Sequence, residues 1–176
     1  MPIRFDISEF NYNEVFIETG TYRGDGCIRA VRADFRRIFS IEINYDFYIK
    51  AVGRLIIYPQ VTIIHGNSIK VLPIILKNIN EPVVFWLDAH ISGSSTPESC
   101  SLYQELEIIS KHKIKNHIIM IDDLRCFDGK YRGHQGRWGV NVKLSEVYDR
   151  LLSINSAYKF ERRSGANEQD ILVALP

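Results

Sequence analysis

Five carboxylates and one imidazole follow short apolar runs at intervals along the chain. Glu18 stands behind Val15-Phe16-Ile17, Glu42 behind Ile38–Ile41, Asp88 and His90 behind Val83–Leu87, and the pair Asp122-Asp123 behind Ile118–Ile121. Asn67 has a similar relation to the run Val61–Ile64. Acids in such places accept hydrogen bonds from hydroxyl or ammonium groups, or hold divalent cations. An imidazole titrates near pH 6.5 and can take a proton at neutral pH. The stretch "ETGTYRGDG", residues 18–26, adds three glycines within seven positions where a strand should give way to a helix. Glycines at a turn let the backbone approach a ligand closely.

These residues act together only if the fold brings them to one edge. Strands are predicted at Val15–Glu18, Ile38–Ile43, Val61–His65, Val83–Asp88, Asn116–Asp122, Tyr158–Arg163 and Ile171–Leu175. Most are continuous in Val, Ile and Phe, as strands covered on both faces are. Helical spacing predicts helices at Asp25–Phe35, Tyr45–Leu55, Ser68–Lys77, Leu102–Lys111 and Val140–Asn155. The alternation is that of an α/β, Rossmann-like doubly wound sheet of seven strands, mostly parallel. Between the last two strands lies only a short loop, "SGANEQ". It cannot carry a parallel crossover, so one strand at that edge must run antiparallel. Ligands of such sheets sit beyond the carboxyl ends of the strands. There stand Glu18-Thr19-Gly20, Glu42, His65-Gly66-Asn67, Asp88-Ala89-His90 and Asp122-Asp123. One polar strand end is ordinary; five converging on one edge make a site. His65 lies inside its strand and is expected to point into the core.

Composition bounds the rest. With 176 residues, 45% hydrophobic and 24% charged, the chain suits a single domain, residues 1–176, with a proper core. A net charge of +1 argues against a long nucleic-acid partner. No apolar run approaches the roughly 20 residues a membrane span needs. Cys27, Cys100 and Cys126 are scattered and make neither a disulfide framework nor a metal clip, which points to a reducing, cytoplasmic compartment.

The glycine turn excludes its commonest uses. No Lys follows Gly24 or Gly26 as a phosphate loop requires, and Arg29 stands where a dinucleotide fingerprint needs its third glycine. The spacing that fits is Glu18, Gly20, Gly24, with an acid where pyrophosphate would be repelled and an amine welcome. Glu42, twenty-two positions past Gly20, is placed to accept both ribose hydroxyls. Asn67 offers an amide to a purine edge. Ribose, purine and amine together describe S-adenosylmethionine.

The chain resembles class I S-adenosylmethionine-dependent methyltransferases over nearly its whole length. "ETGTYRGDG" is similar to the opening turn of catechol O-methyltransferase-like enzymes, where a Tyr also replaces the middle glycine. "FWLDAH" and "IMIDD" resemble strand ends of metal-dependent sugar O-methyltransferases of the macrocin type. The resemblance implies cofactor contacts from Glu18, Thr19, Gly20, Thr21, Tyr22, Gly24, Glu42, Asn67, Ser68 and Asp88. It also implies Mg²⁺ on Asp88, Asp122 and Asp123.

Physical chemistry supports that metal independently. Three carboxylates at one edge repel each other unless a cation intervenes, and all-oxygen ligands suit Mg²⁺ or Mn²⁺. Such an ion lowers the pKa of a bound hydroxyl. The alternative is that Asp122 or Asp123 caps the next segment or pairs with Arg125. His90, two residues past Asp88, is the base expected to act with Asp88 in catalysis. The catechol-type enzymes use a Lys in this neighbourhood, and none occurs between Lys77 and Lys111. Two loops are expected to choose the acceptor: "ISGSSTPES" (91–99) and "DGKYRGHQGRWG" (128–139), the latter mixing Lys130, Arg132 and Arg137 with Tyr131 and Trp138.

The expected activity is methylation of a hydroxyl on a carbohydrate or glycoconjugate. The alternatives are methylation of RNA or a nucleotide ribose, and a methyltransferase-like module that binds without turnover. With only about 14 residues before the first strand, the chain is expected to dimerise or to belong to a longer protein.

Overall fold

The computed structural model describes residues 5–89, 100–129, 132–133, 136–137 and 142–176. Strands and helices alternate as β1 (Val15–Thr19), α1 (Asp25–Arg32), β2 (Arg37–Glu42), α2 (Tyr45–Leu55), β3 (Val61–His65), α3 (Ser68–Leu76), β4 (Val83–Leu87), α4 (Leu102–Lys111) and β5 (Ile118–Ile121). There follow β6 (Arg132–Gly133), β7 (Gly136–Arg137), α5 (Leu144–Ile154), β8 (Lys159–Arg163) and β9 (Ile171–Leu175). Seven strands form one sheet in the order β3-β2-β1-β4-β5-β9-β8. The pairs β1–β2, β1–β4, β2–β3 and β4–β5 are parallel, while β9 runs antiparallel to both β5 and β8. The reversed strand therefore lies one place in from the edge.

Alternate residues of the central strands face opposite layers, as the period of two demands. Val15, Ile17, Phe85, Leu87, Ile119 and Ile121 pack with Leu72 of α3, Leu106 of α4 and Leu151 of α5. Phe16, Val84, Trp86, Ile118 and Met120 pack with Ala30 of α1 and Ala51 and Leu55 of α2. Both faces of β1 and β4 are buried along their whole length. That is why these strands read as unbroken apolar runs.

Boundaries differ from expectation in a few places. Helix α5 starts at Leu144, because Lys143 is extended and its N–H donates to the Tyr103 hydroxyl at 2.8 Å. The strands β6 and β7 pair antiparallel inside the stretch expected to be loop. His65 is exposed, not turned into the core, since β3 is an edge strand; its Nε2 lies 3.1 Å from the Ile43 carbonyl. No helix among the described residues is long and apolar enough to cross a membrane.

Candidate functional site

The order of the sheet reverses between β1 and β4, and in sheets of this kind the ligand crevice lies at the carboxyl ends of the strands there. The β1 turn is fixed first. Gly20 adopts a φ of +89°, and its N–H donates to the Ile41 carbonyl at 2.9 Å. A β-carbon on Gly20 would fall 2.6 Å from the Asp88 carbonyl oxygen, so only glycine lets the two strand ends come this close. Gly24 then caps α1, and Tyr22, half exposed, sets its ring edge-on to Phe47 at 4.6 Å.

Glu18 lies beneath that turn. Its Oε2 accepts from Ser40 Oγ at 2.6 Å and from Cys27 Sγ at 3.3 Å. Ser40 thus spends its hydrogen on Glu18 and accepts from Thr21 Oγ1 at 2.6 Å. Burial pushes the Glu18 carboxyl up to about 7, against the pull of the bonds from Ser40 and Cys27. A β-carbon at position 26 would sit 1.8 Å from Glu18 Oε1, so Gly26 is glycine because the acid passes under the helix start. Glu18 therefore serves the turn from below.

Glu42, nearly buried at the end of β2, accepts from Tyr22 N–H at 2.7 Å on one oxygen and from Asn44 N–H at 2.8 Å on the other. Each carboxylate oxygen retains a lone pair for a ligand hydroxyl. Asn67 caps α3, its Oδ1 accepting from Ile69 N–H at 2.9 Å. Its amide NH₂ remains for a purine edge. Ser68 is buried beside it, 3.5 Å from Ser101 Oγ.

At the far side of the crevice Asp88 is half buried, its N–H donating to the Thr19 carbonyl at 3.1 Å. Asp122 N–H donates to Leu87 O, and Asp123 takes the left-handed conformation (φ +62°) that lets its own N–H reach Asp122 Oδ1 at 2.8 Å. Burial, with the charges of Asp88 and Asp123, pushes the Asp122 carboxyl up to about 7. Carboxylate oxygens of Asp122, Asp123 and Asp170 lie within 4.8 Å of one another. Asp170 thus joins the two aspartates expected from β5, while Asp88 acts on Asp122 through its charge. Arg125 enters the same group. It pairs with Asp123 at 2.6 Å and with Asp170, and its N–H donates to Asp170 Oδ1 at 2.8 Å.

His90 and loop 91–99 lie outside the described residues, as do Lys130, Tyr131 and Trp138 of the second loop. Sequence reasoning had Arg125 in view as a partner of Asp122 or Asp123, but missed Asp170 and a buried acid, Glu105. Asp170 precedes its strand instead of following it, but an antiparallel strand begins at the edge where parallel ones end. Glu105 announces itself as an acid within the apolar stripe Leu102, Leu106, Ile109.

No protein-family model matches the chain, and no curated protein matches its sequence. Solved structures do match. A Staphylococcus aureus protein provisionally assigned as a caffeoyl-CoA O-methyltransferase is 18% identical, with 96% of this chain and 80% of that one covered and a TM-score of 0.63. An O-methyltransferase from Bacillus cereus, solved with S-adenosylhomocysteine, is 14% identical over 98% of this chain and 83% of that one, with a TM-score of 0.61. The O-methyltransferase TomG from Streptomyces achromogenes, involved in tomaymycin synthesis and solved with S-adenosylmethionine, is 18% identical over 92% and 72%, with a TM-score of 0.57. The likeness is one of fold, and the fold is that of the class I S-adenosylmethionine-dependent methyltransferases.

Proposed function

We propose that the chain is an S-adenosylmethionine-dependent O-methyltransferase whose acceptor is a hydroxyl of a carbohydrate or glycoconjugate. The observation that carries the reading is the Gly20 cradle, closed against the Asp88 backbone, with Glu42 held beside it by two backbone N–H groups. Such a crevice fits a ribose and an amine, and bound cofactor and product in the neighbouring structures support the choice. Glu42 would accept the ribose hydroxyls, the Asn67 amide would meet the purine, and the Gly20–Gly24 turn, steadied by Thr19, Thr21 and Glu18, would meet the amine end. S-adenosylmethionine supplies, when bound, an electrophilic methyl group.

The acidic edge fits a divalent cation of the Mg²⁺ type. Asp122 is buried among like charges, a situation a cation relieves. Asp88, Asp122 and Asp123 would hold it, with Asp170 at hand and Arg125 competing for Asp123. Such an ion supplies Lewis acidity toward a hydroxyl. His90, one residue beyond Ala89, would take the hydroxyl proton, and Tyr131 and Trp138 among cations would suit a sugar ring.

The test is calorimetry with S-adenosylmethionine and NAD, followed by an acceptor screen with nucleotide sugars and free glycans. Binding of NAD alone would discard the cofactor. Short single-stranded RNA as the only acceptor, bound in a steeply salt-dependent way, would move the substrate to RNA.

A further inference from the structure

Glu105 sits on α4 and is 1% exposed, yet it is an acid. It occupies the stripe of Leu102, Leu106 and Ile109, all of which face the core. An apolar residue would continue that stripe at no desolvation cost, whereas a buried carboxylate is costly unless hydrogen bonds repay it. Its two oxygens are divided between two parts of the crevice. Oε1 accepts from Ser101 Oγ at 2.8 Å, and Oε2 accepts from Thr19 Oγ1 at 3.3 Å. Thr19 is the last residue of β1 and precedes Gly20. Ser101 Oγ also lies 3.5 Å from the Ala89 carbonyl, just past β4, and 3.5 Å from Ser68 Oγ at the start of α3. One carboxylate thus holds the end of β1 directly and, from behind, fixes Ser101 beside the end of β4 and the start of α3.

We infer that Glu105 is a positioning residue: it fixes the spacing between the Thr19–Gly20 turn and the Asp88–Ala89 strand end, across which cofactor and acceptor would meet. The catalytic meaning of that spacing rests on the methyltransferase reading, but the spacing itself does not. Glu105 acts through the hydroxyls of Thr19 and Ser101.

The experiment is residue-resolved amide hydrogen exchange on the whole chain, with Glu105→Met removing both acceptors at similar volume and Glu105→Gln restoring one. In Glu105→Met the amides of Gly20 and Asp88, which bond across the strand ends, should exchange at least about tenfold faster. Those of Ile119 and Val173, in the other half of the sheet, should stay within about twofold, and Glu105→Gln should recover most of the protection. A uniform rise over the sheet would reduce Glu105 to a structural residue, and unchanged exchange at Gly20 and Asp88 would remove the role. Should Glu105→Met not fold, Thr19→Val and Ser101→Ala each delete one donor and should each give part of the local rise; no local rise in either overturns the inference. Calorimetry with S-adenosylhomocysteine runs alongside. Failure of the wild-type chain to bind it would sink the proposed function while leaving the exchange result to judge Glu105.

Discussion

Gly20 and Asp88 are backbone neighbours across the crevice: a single methyl group on Gly20 would meet the Asp88 carbonyl oxygen at 2.6 Å. The close approach sets the β1 turn directly against the strand end that carries the acid, with no room for a side chain between them.

Replacing Gly20 with Ala should therefore do two kinds of damage. The residue sits at φ +89°, where a side chain costs about 1–2 kcal/mol, and the clash with backbone adds roughly as much again. Thermal unfolding should show a midpoint lower by several degrees, and binding of S-adenosylhomocysteine should be lost. A variant with both properties intact would mean that the crevice is wider than described.

Glu42→Ala should weaken cofactor binding by about 1.5–3 kcal/mol, a tenfold to hundredfold rise in Kd, because a charged acceptor is removed from the ribose. Tyr22 and Asn44 also lose their acceptor, so Glu42→Gln serves as a control that keeps one oxygen. Calorimetry giving the wild-type Kd for Glu42→Ala would take this residue out of the site.

Metal should show itself in stability as well as turnover. Mg²⁺ at a hundredfold excess over its Kd should stabilise the fold by about 2.7 kcal/mol, a rise of roughly 5–10 °C in the melting temperature. Asp122→Asn should abolish that rise, and EDTA should abolish methyl transfer while leaving cofactor binding measurable. Full activity in EDTA would leave Arg125 as the cation of this edge.

A pH effect should arise far from the crevice. Val83 N–H donates to His117 Nδ1 at 3.0 Å, so His117 carries its proton on Nε2 and gives it to His112 Nδ1, also at 3.0 Å. His112 Nε2 in turn donates to Ile79 O at 3.0 Å. His117 is thus neutral in the folded chain. Burial and the neighbouring His112 push His117 down to about 4. The unfolded chain takes up its proton near pH 6.5, so stability is full above that value and falls as pH drops toward 4. The loss should amount to about 3 kcal/mol. Urea titrations at pH 7.5 and 4.5 should show it, and His117→Asn should flatten much of the difference. Equal midpoints for the wild type at both values would contradict a neutral His117.

Much of the fold was legible because β1, β4 and β5 are covered on both faces and so write themselves as uninterrupted Val, Ile and Phe. The acids behind them were legible because a parallel sheet sends those ends to one edge. Three things were hidden. Glu18 reads as a ligand-facing acid, but Gly26, which lets it pass under α1, is recognisable only in three dimensions. Asp170 belongs to a strand entered from the opposite direction. Arg125 was in view as a possible partner for Asp123, but its second bond, to Asp170, spans forty-five positions that no local pattern connects.

The place of β9 also constrains how the chain can fold. It lies between β5 and β8, although β8 comes first in sequence. The outer strand has no slot on the sheet until its successor has docked, so β8 must wait as half of a hairpin, or detached, while β9 finds β5. Pairing across some fifty residues is slow because the intervening loop must close first. Until then β5 is an open, wholly apolar edge, and Asp122 and Asp123 are without Asp170. Because Asp170 immediately precedes β9, the acidic edge is complete only once β9 has docked on β5, and an apolar β5 left unpaired is the kind of strand edge that invites edge-to-edge pairing.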